Sequence, residues 1–394
     1  MTNKFIFFGK DKPLSLENDE DNEDILNFNE QDYLGKLQDD NQQIVKRNYS
    51  SEEDTKNKRK KATRVIVEKK IDENVSQLIN LNLKEYYRFV VDGNLHKDED
   101  GWMGYSKREA GSVTSLLTSL SKAFEAEGGI TPDQIKSIHF NVISVPKYNP
   151  LCSNTLRSDA GGYHFIMDDN LSKQGFMELF KKKPQAIKFY ESEGYINNVK
   201  EIESYPLINL PIDVNEAWEF LRKKTKEGYK IFFFAADAST IKKEIKTICK
   251  NYNKEITKSP LTSREKISII VKAVQAINQI HPYVDANIRT CLVCLQKLLW
   301  ENDMLPTMLA DPNIFDGFSH EEIVTLVEEG IIRTQNLIEH PNAELFEFKS
   351  FERQNYNEKY EGLDWHMRDV FNAEDNLYTT ISNHYRPTSR LSPG

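Results

Sequence analysis

A histidine, a carboxylate, an amide and a guanidinium stand within ten residues, HPYVDANIRT from His281 to Thr290. Asp285 lies four positions after His281, Asn287 two after that and Arg289 two further on. One short loop thus offers a proton acceptor, a ligand for a hard metal ion and two groups able to hold phosphate. That set suits moving a phosphorus-containing group onto a hydroxyl. An alcohol or phenol is a poor nucleophile near neutral pH, so a neutral imidazole within hydrogen-bond reach would help to deprotonate it. Mg²⁺ takes oxygen ligands and shares its shell with substrate phosphates, so one carboxylate suffices. Arginine presents a planar fork to phosphate oxygens, and fixed donors around a leaving phosphate lower the barrier to transfer.

Each residue also has an ordinary reading. His281 could simply end a helix, favoured there by the C-terminal dipole. Asp285 could cap the next helix or pair with Arg289. Asn287 is a good N-cap residue, and Arg289 could form a surface ion pair. It is the four together, at this spacing, that favour chemistry.

The elements that must hold this loop are legible on both sides of it. Thr262 and Glu265 form a T-x-x-E capping box. Ile267, Ile270, Val271, Val274, Ile277 and Ile280 then recur at helical spacing. This predicts a helix over 263–280 that stops at His281, because Pro282 disfavours helical geometry at the residue before it. A second helix is expected from about Arg289 through LVCLQKLLW, and an anion is favoured at its N-terminus. Farther out, helices are expected over 73–90, 112–124 (closed by Gly128 and Gly129), from Pro132, over 215–225 and over 241–254. GGYHFIMDD and KIFFFAADAS read as strands. Ser319 to Glu329 reads as a helix that stops at Gly330.

The chain of 394 residues is long enough for one large or two smaller domains. Its net charge of -9 argues against a dedicated nucleic-acid binder. It has no apolar run of membrane-spanning length and no signal-peptide pattern. Four cysteines (Cys152, Cys249, Cys291 and Cys294) are too few for a disulfide framework, and a reducing cytosol is the expected setting. Cys291 and Cys294 read as core thiols rather than zinc ligands. Residues 1–70 form an expected disordered arm, acidic over 17–54 and basic over 56–64. The basic run is read as a solvated linker, with a nuclear-type address or an anionic-surface contact as the alternatives.

HPYVDANIRT resembles the signature loop of the Fic/Doc (Fido) family, usually HPFx[D/E]GNGRxxR, and its Ala286, Asn287 and Thr290 resemble the Doc variant. KIFFFAADAS lies where family members carry a β-hairpin flap. The resemblance covers 230–300 well and extends loosely over 110–335. It implies a mostly α fold, a helical bundle with a small β-hairpin flap, within a transferase domain over 75–335 followed by a C-terminal extension over 340–394. It further implies transfer of part of a nucleotide to a Ser, Thr or Tyr hydroxyl of a protein, most often AMP from ATP, with UMP, phosphocholine or phosphate as variants. A non-catalytic binding protein on the same fold is the competing class.

Mapped by position, His281 would be the base, Asp285 would hold Mg²⁺, and Asn287, Ile288 and Arg289 would hold donor phosphates. Phe232, Phe233, Phe234 and Ala235 would form the flap that docks a target segment edge to edge. Two family glycines are replaced, by Ala286 and Ile288, and a positive φ at Ile288 would be strained. The final family arginine, which holds the outermost phosphate of ATP, falls on Leu292. Thr325 to Gly330 fits the family's inhibitory-helix pattern with Glu329 as its glutamate. Leu292 is not the arginine that this glutamate would pair with, so a capped helix is the preferred reading. An arm joined to a modification domain would suit a bacterial effector acting in a host cytosol.

Overall fold

The computed structural model describes residues 75–93, 102, 105, 110–144, 154–158, 161–191, 210–211, 213–258, 260–341 and 364–385. The chain divides by contacts into one unit of 1–8 with 68–394 and another of 9–67. All described residues belong to the first, so the arm expected over 1–70 lies outside them.

The described residues are mostly helical, as expected, with one small sheet. The helices are α1 (Ser112–Glu125), α2 (Pro132–Val142), α3 (Lys173–Lys182), α4 (Val214–Lys226), α5 (Ala238–Ile256), α6 (Ser263–Ile280), α7 (Asn287–Glu301), α8 (Ile314–Gly317), α9 (His320–Glu339) and α10 (Asp364–Tyr385). The strands are β1 (Gly162–Phe165), β2 (Ile187–Glu191) and β3 (Tyr229–Phe234). No helix among the described residues is long and apolar enough to cross a membrane.

α7 is the central post. Almost every one of its residues is buried, and it packs against α6, α1 and α2. α6 buries its isoleucine stripe and packs on this post, on α5 and on α9. The expected capping box forms at its start: Thr262 Oγ1 accepts from the Glu265 N–H, and the Glu265 carboxylate accepts from the Thr262 N–H. α10, within the expected extension, packs on α1.

Three details depart from the sequence reading. The helix expected over 73–90 is two 3-10 turns, Val75–Asn80 and Leu83–Phe89. Asn82 separates them, its side chain accepting from the Lys84 N–H, a local bond that competes with continuous helix. α9 does not stop at Gly330 but runs on to Glu339. The reason is packing: a Cβ at position 330 would lie 2.0 Å from Thr307 Oγ1. The glycine is there for close approach rather than termination. Finally, the expected hairpin is a three-stranded antiparallel sheet in the order β1-β3-β2. One face of it packs on α3 and α4 through Tyr163, Phe165, Ile231 and Phe233 against Phe176, Trp218 and Leu221.

Candidate active site

α6 ends where proline says it must. His281 takes a left-handed conformation (φ 48, ψ 64) and its N–H donates to Asn278 O at 3.0 Å. The turn then re-enters helix through a second left-handed residue, Ala286 at φ 59. The positive φ thus falls on Ala286, not on Ile288, which lies in the first turn of α7. The strain expected at Ile288 is absent because its β-branch sits in helical geometry. Ala286 offers no side chain to cap α7. The dipole and first-turn N–H groups of that helix therefore meet no capping oxygen from the residue before it.

Asn287 braces the turn. Its Oδ1 accepts from the Tyr283 N–H at 2.9 Å and its Nδ2 donates to Tyr283 O at 2.8 Å. These bonds hold the amide against the loop backbone, and Asn287 is the first residue of α7 rather than its cap. Asp285 Oδ1 accepts from the Ala286 N–H at 2.5 Å and from Arg289 at 3.2 Å. The ordinary reading of an Asp285–Arg289 pair is thus realised, and it occurs in a buried setting rather than on the surface. Thr290 Oγ1 donates back to Ala286 O at 2.8 Å.

The His281 side chain is buried, and its Nδ1 has no hydrogen-bond partner. Burial first, and the positive charge of Arg157 second, push its pKa down to about 3. The ring is neutral at physiological pH. The Tyr163 ring of β1 lies 5.6 Å away, centroid to centroid.

Four supports carry no sequence signal of their own. His139 of α2 stacks on Tyr283 with centroids 3.6 Å apart and planes 10° from parallel. Its Nε2 also meets Asp285 O at 3.2 Å. Burial lowers the His139 pKa, against opposing hydrogen bonds. Arg157, in the segment before β1, bonds the backbone on both sides of His281. Asp316 of α8 accepts from Asn278 Nδ2 at 2.8 Å and from Asn170 Nδ2 at 2.9 Å. Its backbone carbonyl accepts from Tyr163 Oη at 3.0 Å. Burial raises the Asp316 pKa to about 7 despite the two amide donors. Spacing could not have found these residues, because they come from elements far apart in the chain.

The structure does not give the flap its expected form. β3 pairs with β1 from Ile231 to Phe234 and with β2 from Tyr229 to Phe233. Both of its edges are occupied from Ile231 to Phe233, and Phe232 and Phe233 are each 1% exposed. Those residues are core, and only the half-buried Phe234 and Ala235 stand at the end of the strand. A strand edge open to a peptide would have to belong to a neighbouring strand.

Leu292 is packed in the core at 5% exposure. Glu329 faces solvent and pairs with Arg333 at 3.3 Å. Its neighbour Glu328 is the buried one, bound to Arg264 together with Glu321. The inhibitory-helix pattern is therefore an ordinary helix face. Cys249, Cys291 and Cys294 are free and buried, and burial raises the pKa of each. Among the described residues no three His, Cys, Asp or Glu side chains gather to hold a metal ion.

Comparison with known proteins agrees with this loop. The chain is 30% identical over 282 residues to the phosphocholine transferase AnkX of Legionella pneumophila subsp. pneumophila, a match covering 65% of this chain. The chain spans only 28% of that relative's length. The model of the Fic/DOC family matches residues 210–299, which run from α4 through the His281 turn into α7. Over that region the chain matches the Fic/DOC family.

Proposed function

We propose that this protein is a Fic-type, protein-modifying transferase that moves a phospho-group from a nucleotide-linked donor to a Ser, Thr or Tyr hydroxyl of a target protein. One observation carries the reading. A neutral, buried imidazole and the uncapped N-terminus of α7 flank one turn, with Asp285 in that turn and paired to Arg289 in the first turn of α7. That turn pairs a proton acceptor with an anion-binding helix end.

In this reading the target hydroxyl oxygen attacks phosphorus. The bond from phosphorus to the leaving nucleotide oxygen breaks, and the hydroxyl proton passes to His281. At about 3 the His281 pKa would make it a weak base. Donor phosphates beside the ring would raise it by adding negative charge. Arg289 and the first-turn N–H groups of α7 would stabilise charge on the leaving phosphate. Asn287 would serve the reaction mainly by fixing the turn that presents those groups.

A Mg²⁺ ion fits only as a partner of donor phosphates. Asp285 is the carboxylate at the turn, and it already faces Arg289, so metal and arginine would share it. When bound, Mg²⁺ would neutralise phosphate charge; Asp285 would supply the protein ligand.

Phosphocholine carried by a nucleoside diphosphate is the favoured group. The relative that is 30% identical is named as a phosphocholine transferase. Leu292 replaces the arginine that the family resemblance assigns to the outermost phosphate of ATP. AMP transfer from ATP is the competing outcome. The host-cytosol setting belongs to this proposal as well, since it rests on the sequence reading of an arm joined to a modification domain.

The test is label transfer from ATP, UTP and CDP-choline to proteins of a eukaryotic cytosol, with His281→Ala as control. Label from CDP-choline that His281→Ala abolishes is the expected result. Transfer from ATP alone would overturn the choice of donor. An absence of transfer from all three would remove the enzymatic reading in favour of a binding protein.

A further inference from the structure

Arg157 holds a position that the family signature does not mention. Its Nε donates to His281 O at 2.6 Å and one terminal nitrogen to Ile280 O at 3.2 Å. The same nitrogen also donates to Ala236 O, just beyond the end of β3. Its own backbone N–H donates to Pro282 O at 2.9 Å. A single residue thus bonds three consecutive carbonyls, at 280, 281 and 282, together with the chain leaving the sheet. The side chain is buried, at 6% exposure.

Carbonyls at the end of a helix lack internal donors, and a cation there is favoured by the dipole. His281 also sits in a left-handed conformation that costs a non-glycine residue energy and persists only when its surroundings enforce it. The guanidinium fork supplies that enforcement. Lysine, with one ammonium point, cannot span the Ile280, His281 and Ala236 carbonyls as the planar fork does.

We propose that Arg157 is a positioning residue, clamping the His281–Pro282 turn to the chain that follows β3 so that the imidazole keeps its orientation at the site. The clamp ties flap and base together: displacement at Ala236 is transmitted to His281 through one guanidinium. This rests on the reading of His281 as the base, but its structural half stands without that reading.

The test uses the full chain with two substitutions. Arg157→Lys removes the fork and keeps the charge. Gly161→Ala leaves Arg157 in place but crowds it, because a Cβ there would lie 3.0 Å from the arginine Cδ and 3.1 Å from its Nε. Amide hydrogen exchange should accelerate at least tenfold at His281 and Ala235 in Arg157→Lys, and less in Gly161→Ala. Exchange within the middle of α6 should not change. Transfer from the donor that the wild-type protein uses should lose ten- to a hundredfold in kcat in Arg157→Lys, with donor KM within about twofold.

Unchanged exchange at His281 and Ala235 in both variants would overturn the clamp. Accelerated exchange with full kcat would overturn its role in positioning the base. If the wild-type chain transfers no donor group, the proposed function fails, while the exchange result still decides whether the clamp exists.

Discussion

Arg289 and Asp285 face each other at 3.2 Å across one turn of chain, with side chains only 9% and 10% exposed. A buried pair adds little net stability, but breaking it by removing one partner strands a charge. Asp285→Ala should therefore destabilise the fold by about 3–5 kcal/mol. The double variant Asp285→Ala with Arg289→Met should recover much of that loss. Urea denaturation of all four members of the cycle gives the coupling, and additive effects would contradict the pairing.

Ala286 is fully buried in a left-handed conformation at φ 59. That geometry costs an L-residue about 1–2 kcal/mol, and glycine avoids the cost. Ala286→Gly should be neutral or stabilising by up to about 1 kcal/mol. Ala286→Val should destabilise by more than about 2 kcal/mol, since a β-branch is least tolerant of that conformation. Thermal unfolding compares the two, and a destabilised glycine variant would show that the methyl packing matters more than the backbone.

His281 gives stability a pH dependence of known sign. Its pKa is about 3 in the folded chain against an ordinary value of 6.5. The unfolded chain thus takes up a proton that the folded chain refuses. This contribution is complete above the unfolded value and declines as pH falls through that window, by about 1.4 kcal/mol per pH unit. His281→Gln should show a flatter profile of urea midpoints between about pH 6.5 and about pH 4. Parallel profiles for the two proteins would mean that the ring is solvated or charged in the native state.

Gly330 lies inside α9, where helix propensity alone says that alanine should stabilise by about 1 kcal/mol. Contact reverses the sign. The added Cβ would meet Thr307 Oγ1 at 2.0 Å and Met308 O at 2.8 Å. Gly330→Ala should cost about 1–3 kcal/mol by overpacking. A stabilised variant in denaturant titration would show that the 304–308 segment moves aside freely.

Glu329 should prove irrelevant to regulation. It is half exposed and held by Arg333, while Leu292 fills the place of an arginine partner. Glu329→Gly should leave the rate of group transfer within about twofold, because a surface pair contributes little. A large rise in rate would restore the inhibitory reading.

Sequence periodicity carried the framework around the site well. α6 begins and ends where its capping box and the His281-Pro282 step place it, and the turn into α7 follows two residues earlier than expected. Two kinds of feature were not legible. Tertiary close approach turned Gly330 from an expected stop into a packing residue, and propensity cannot register a contact with Thr307. Pairing on both sides turned the expected docking strand into a core strand, because β2 lies about forty residues before β3 and carries no hairpin signal. The site supports were hidden for the same reason. His139, Arg157, Tyr163 and Asp316 come together around the loop through folding alone, with bonds that join positions 124 to 153 residues apart.

The two-sided pairing of β3 bears on how this site can accommodate anything large. A strand bonded along both margins cannot peel away by itself; it shifts only as part of a three-strand plate backed by Trp218 and Phe176. Adaptation to different target surfaces would then be a matter of hinging that plate, or of reshaping the loops at its rim, while the segment leading toward His281 keeps a constant path.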